Sequence, residues 1–133
     1  MPQNKKKPIG IWMDYKQAYL IFTDEQDFSG EFKIRKEIVR ANHDNDVYKN
    51  ERFEKNKNLA ELKKYYKAIL DEIVAFDEIY IFGPGKAQEE LKNVLREHRY
   101  FKDKNLAIGS STKLSRSQMV GRVQAQFRLL SDD

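Results

Sequence analysis

Apolar and polar positions change period from one segment of this chain to the next, and the changes mark out its elements. Ile9-Gly-Ile-Trp-Met-Asp14 and Ala18-Tyr-Leu-Ile-Phe22 are short apolar runs. Only Tyr15-Lys16-Gln17 separates them, which predicts two strands joined as a hairpin. After Ser29-Gly30, the apolar Phe32, Ile34, Ile38 and Val39 are set among Lys33, Arg35 and Lys36. That pattern predicts an edge strand with one wet face, its lysines discouraging further pairing. Residues 40–58, RANHDNDVYKNERFEKNKN, have no apolar period. They predict a mobile, protease-sensitive loop, because few apolar side chains beyond Val47, Tyr48 and Phe53 offset the entropy of ordering it. From Leu59 the period becomes helical, with Leu59, Leu62, Tyr66, Ile69, Leu70 and Ile73 on one face.

The second half alternates strand and helix. Glu78-Ile-Tyr-Ile-Phe82 lacks polar alternation, as in a parallel strand covered on both faces. Gly83-Pro84-Gly85 then supplies a tight turn and a preset first helical φ. The helix that follows, to about His98, presents Ala87, Leu91, Val94 and Leu95 for burial, and Leu106-Ala107-Ile108 reads as a fifth strand. Ser115 and Gln118 have the spacing of a capping box at the start of a last helix with the stripe Met119, Val120, Val123, Phe127 and Leu130. The order βββαβαβα fits a ribonuclease H-like α/β domain. Its five-stranded mixed sheet would run 3-2-1-4-5, with strand 2 antiparallel, strands 1 and 4 parallel, and helices on both faces. Flavodoxin-like and ferredoxin-like domains share parts of this order. The expected organisation is a disordered basic tail over residues 1–8 and one domain over 9–131.

Composition narrows the function classes. A chain of 133 residues can bury one core without staples. The absence of cysteine removes disulfide scaffolds, zinc ribbons and thiol nucleophiles, and it suits a reducing, cytoplasmic location. No apolar run approaches the roughly 20 residues of a membrane span, so no membrane partner is expected. The net charge of +4 is uneven: residues 31–67 hold eleven Lys or Arg against seven Asp or Glu, while 68–133 balance. An anionic partner would meet its excess of positive charge there.

Candidate chemistry is sparse. Two-metal nucleases on this architecture take carboxylates from the first strand, the first helix and the end of the fourth strand. Asp14 stands at the first place and Glu61 or Asp71 could serve at the second, but the fourth strand ends in Phe82-Gly83-Pro84. Asp14 is therefore the one catalytic candidate, with a turn residue as its plainer role; no metal and no cofactor is expected. Gly83, Gly85 and Lys86 could hold a phosphate at a helix start, although they lack Walker spacing and a small-residue turn explains them as well. His43-Asp44-Asn45-Asp46 offers metal-capable side chains without the glycine of a calcium loop. His98 reads as a helix-dipole partner. Trp12, Tyr19, Phe22, Tyr66, Tyr80, Phe82 and Phe127 read as core, whereas Tyr48 and Phe53 lie among Lys49, Arg52, Lys55 and Lys57, where they could stack on bases or fold back onto the sheet.

Three segments carry a likeness: Ile9-Gly-Ile-Trp-Met-Asp14; Ile79-Tyr-Ile-Phe-Gly-Pro-Gly-Lys-Ala87 with Glu90-Leu91; and Thr112-Lys-Leu-Ser115 leading to Gln118, Val123 and Phe127. In order and spacing they resemble the stand-alone bacterial relatives of the central domain of archaeal and eukaryotic peptide-chain release factors and Pelota. The resemblance implies a ribonuclease H-like fold and a translation-machinery ancestry. In release factors the loop before the first long helix carries a Gly-Gly-Gln tripeptide that promotes peptidyl-tRNA hydrolysis, whereas residues 40–58 here contain neither glycine nor glutamine. The expected function is thus a non-enzymatic module bound to the ribosome or tRNA through Arg40, Lys49, Arg52, Lys55, Lys57, Lys63 and Lys64. A hydrolase or a protein-interaction domain on the same fold is the alternative.

Overall fold

The computed structural model describes residues 6–25, 27, 28, 30–40 and 51–131, with side chains for all of these except 51–58 and 131. Its elements follow the order β1 (Pro8–Met13), β2 (Gln17–Phe22), β3 (Lys33–Val39), α1 (Glu51–Ile73), β4 (Glu78–Gly83), α2 (Ala87–Arg96), a 3-10 turn (Arg99–Phe101), β5 (Asn105–Ser110) and α3 (Arg116–Ser131). The sheet runs β3-β2-β1-β4-β5. Strand β2 is antiparallel to β1 and β3, and β4 is parallel to β1 and β5. This is the α/β order expected of a ribonuclease H-like domain.

Period two along the strands sorts the core into two layers. Ile9, Ile11, Met13, Leu20, Ile79 and Ile81 pack with Tyr65, Tyr66, Ile69 and Ile73 of α1 and Ala87, Leu91 and Leu95 of α2. On the opposite face Trp12, Tyr19, Ile21, Tyr80 and Phe82 pack with Met119, Val123 and Phe127 of α3. The approach of α3 is close enough that a Cβ on Gly10 would meet Val123 Cγ2 at 2.2 Å. A β-branched neighbour such as Val123 has little rotamer freedom to retreat, so glycine is required there.

The edge strand β3 carries a bulge. Lys36 pairs with Leu20 and Ile34 with Ile21, leaving Arg35 as the extra residue. One extra residue reverses the side on which later side chains fall. Hence Ile34 joins the α3 layer while Ile38 joins the other. Arg35 uses the irregularity to donate to the Phe22 carbonyl at 3.0 Å and to pair with Asp24 at 2.8 Å.

Several sequence expectations need correction. Helix α1 begins at Glu51 rather than Leu59, so residues 51–58 are helical backbone rather than loop. Glu, Arg and Lys are good helix formers, and Glu51 and Glu54 bring negative charge to the first turn, so a helix can run there without an apolar period. Residues 41–50, including Lys49, Tyr48 and the His43–Asp46 run, lie outside the described residues. Pro84 precedes α2 instead of opening it, and Val94, Leu59 and Leu130 are exposed where burial was expected. Of the expected basic tail, residues 1–5 lie outside the described residues. Pro8 is already in β1, and the Lys7 carbonyl accepts from Asp77 and Glu78 while its N–H donates to the Asp77 carboxylate. His98 accepts from the Tyr100 N–H through Nδ1 and so caps the 3-10 turn rather than serving the dipole of α2. Among the described residues, no helix is long and apolar enough to cross a membrane.

The capping box at α3 forms as its spacing predicts. The Ser115 N–H donates to Gln118 Oε1 at 2.8 Å and the Gln118 N–H donates to Ser115 Oγ at 3.2 Å. Ser115→Ala is expected to lower stability by about 1 kcal/mol, the usual cost of losing an N-cap oxygen. A urea midpoint unchanged by this substitution would mean that the apolar stripe alone holds α3.

Candidate functional site

The strand order turns outward in both directions from β1 and β4, which makes the carboxyl ends of these two strands the crevice where open α/β sheets usually bind ligands. Three segments meet there: the β1–β2 hairpin, the Gly83–Lys86 turn and the sides of α1 and α2 that face them.

In the hairpin, Asp14 Oδ1 accepts from the N–H groups of Lys16 at 2.7 Å and Gln17 at 2.9 Å, and the Asp14 N–H donates to the Gln17 carbonyl at 3.0 Å. This is an Asx turn, the local bonding by which a short carboxylate replaces a backbone turn. Among the described residues, no group of three or more His, Cys, Asp or Glu is arranged to hold a metal ion. Arg40, at the end of β3, closes the hairpin from the other side: its N–H donates to the Lys16 carbonyl at 2.8 Å and its guanidinium to the Tyr15 carbonyl at 3.3 Å.

The turn after β4 is built on contact rather than on open amides. A Cβ on Gly83 would lie 2.0 Å from the Met13 carbonyl oxygen, so only glycine lets β4 end beside β1. Gly85 has φ 74°, a left-handed conformation natural to glycine. Gln88 lies buried beneath the turn and donates from Nε2 to the carbonyls of Gly83 and Gly85, both at 3.0 Å. Lys86 is the N-cap of α2 without a side-chain cap bond, while Glu89 and Glu90 already place two carboxylates in the first turn. Negative charge in the first turn is favourable to the dipole of α2.

Three tyrosines and a glutamate join the segments, and they are the part of the site that sequence reasoning missed. Glu90 accepts from the Tyr15 hydroxyl through Oε2 at 2.6 Å and from the Tyr66 hydroxyl through Oε1 at 2.9 Å. Tyr65 donates to the Asp14 carbonyl at 2.9 Å. The bond to Glu90, more than burial, pushes the Tyr15 hydroxyl up to about 12. Burial foremost, then the bond to Glu90, raises Tyr66; burial and the nearby Asp14 charge raise Tyr65, with Arg40 acting in the opposite sense on both. The only sequence signal was the adjacent pair Tyr65-Tyr66, since two neighbours on a helix cannot both point straight into one core.

These bonds also fix the pose of α1. Tyr65 is tied to the end of β1, while Glu61 is buried and Leu62 packs against the first core layer, so α1 meets the domain from about a turn before Tyr65 through to Ile73. Arg52, Lys55 and Lys57 fall in the turns of α1 before that contact, and Lys63 and Lys64 are exposed beside it. Five of the seven basic candidates thus lie along α1, and Arg40, just after β3, is bonded to the hairpin at the same end of the sheet as Asp14.

No protein-family profile and no curated protein matches the chain in sequence. Among solved structures it is similar to Pelota of Archaeoglobus fulgidus, with a TM-score of 0.55 at 11% identity, covering 96% of this chain and 36% of that one. It also aligns with the archaeal translation termination factor aRF1, at a TM-score of 0.49 and 12% identity, over 97% of this chain and 41% of that one. At such identity the likeness to Pelota is one of fold, and the chain spans about a third of Pelota's length with that fold.

Proposed function

We propose that this chain is a non-enzymatic binding module of the translation machinery that engages the ribosome or tRNA through the basic residues in the N-terminal half of α1. One observation carries the proposal: Arg52, Lys55, Lys57, Lys63 and Lys64 all fall within one helix, α1. Cations gathered on one helix can replace the counterions of a phosphate backbone. Arg40, bonded to the hairpin, and Lys49, which lies outside the described residues, complete the basic candidates. The Pelota fold supports the assignment to translation. Hydrolysis has no part in it, because residues 40–58 contain no Gly-Gly-Gln and the Asp14 carboxylate is engaged by its own turn.

Co-sedimentation with purified ribosomes tests the proposal. Binding at low salt is expected to fade as salt rises, with log K falling by roughly 0.7 to 0.9 per neutralised phosphate for each unit of log salt. Lys55→Glu, Lys57→Glu and Lys63→Glu together should weaken binding and flatten that slope, while Lys92→Glu, Arg96→Glu and Lys102→Glu should change it less. Equal losses from the two triple variants, or no binding at low salt, would reject the α1 interface.

A further inference from the structure

The sheet has two edges, and they are treated differently. Edge β3 bears Lys33, Arg35, Lys36 and Glu37 within seven residues and is bent by a bulge, both of which discourage a further strand. Edge β5, Asn-Leu-Ala-Ile-Gly-Ser, has no charge, no proline and no bulge against β4. Its backbone polarity can be assigned. The Asn105 N–H donates to the Asp77 carbonyl and the Ser111 N–H to the Gly83 carbonyl, so odd-numbered residues face β4. By period two, the N–H and C=O groups of Leu106, Ile108 and Ser110 point outward. The Ser110 carbonyl accepts from Arg122 at 3.3 Å. The outward groups of Leu106 and Ile108 have no partner among the described residues. Both residues are half-buried, so water reaches this edge.

Beside this edge runs a cleft of about 460 Å³ lined by Lys86, Glu89, Lys92, Asn93, Arg96 and Ile108, with Glu90 at its far side turned to the tyrosines. With Glu90 so engaged, three cations face one free carboxylate. A second copy of the chain would bring the same cations against these and be repelled. An extended segment with acidic side chains would be attracted.

We propose that β5 is a docking edge for an extended acidic peptide, which adds as a sixth strand to Leu106 and Ile108 while its carboxylates pair with Lys92 and Arg96. Main-chain bonds would give such a complex its affinity and the flanking charges its selectivity. This surface lies on β5 and α2 and the proposed ribosome-facing residues lie on α1, so the two partners could be held together.

The test uses the full chain and a peptide of about eight residues alternating threonine and glutamate, with a threonine–lysine peptide as control. Amide exchange of Leu106 and Ile108 is expected to slow by about tenfold or more with the acidic peptide and to be unchanged with the basic one. Lys92→Glu with Arg96→Glu, both on the outer side of α2, should abolish the protection while leaving exchange in β1 and β4 as it was. An acidic peptide N-methylated at alternate residues should fail to protect. No slowing at millimolar acidic peptide, or equal slowing by both peptides, would overturn the proposal. Protection already present in the free protein and lost on dilution would overturn it in favour of a second copy.

Discussion

Gly83→Ala is expected to destabilise the domain by about 3 kcal/mol or more, at the upper end of what forced overpacking costs. The added methyl would sit 2.0 Å from the Met13 carbonyl oxygen, and the obstacle is backbone rather than a side chain that could swing away. Relief would require β1 and β4 to part at the centre of the sheet, where Trp12 pairs with Phe82. Gly85→Ala provides the contrast: its methyl would meet nothing within 4 Å, and only the left-handed φ of 74° opposes it. That penalty is about 1 to 2 kcal/mol. Urea unfolding of the two variants separates the cases, and a smaller loss at Gly83 than at Gly85 would contradict the close approach of the two strands.

Above pH 10 the domain should lose stability steeply. Tyr15, Tyr65 and Tyr66 all have hydroxyls raised above the usual value of about 10, so the folded state holds their protons more tightly than the unfolded chain does. Their contribution is complete below pH 10 and is lost as pH rises from there through the folded values, the lowest of which is about 12 for Tyr15. Tyr65 and Tyr66 are both buried, and each can add up to about 1.4 kcal/mol of loss per pH unit in that window. Tyr15 is more exposed and contributes less through solvent screening. Urea midpoints at pH 8, 10 and 11 should therefore fall between the last two but hardly between the first two. Tyr66→Phe should flatten the fall at some cost in stability at neutral pH, since it leaves Glu90 with one donor fewer. Tyrosinate absorbance that appears in full at pH 10, with the protein still folded, would contradict the buried bonds.

The sheet was legible because apolar runs and their flanking turns are local signals. The uninterrupted Ile79–Phe82 run announced a central parallel strand, and it lies between β1 and β5 with every residue buried. Ser115 and Gln118 announced the start of α3. Helix α1 was legible only from Leu59, because burial writes a period into sequence and residues 51–58 carry no apolar period. Its first turns rest on propensity and end charge, signals too weak to separate Glu51–Asn58 from a polar loop. The cluster at the strand ends was hidden for another reason: Tyr15, Tyr66 and Glu90 come from three elements, and no spacing along the chain records that their oxygens meet. Asp14 was correctly marked as the end of β1, and its carboxylate bonds give it the turn role that was its plainer reading.

Among the described residues, α3 is the sole helix over one face of the sheet, and it is made last of the elements described. A chain emerging from its N-terminus presents β1 to β5 and the pair α1 and α2 before residues 116–131 are available. The first layer of the core can close at that stage. Trp12, Tyr19, Ile21, Tyr80 and Phe82 cannot be covered until Met119, Val123 and Phe127 have been synthesised. For that interval the nascent domain is a half-finished sheet with an aromatic face open to water, a substrate for chaperones and a hazard for neighbouring chains, and a stalled or truncated copy would remain in that state.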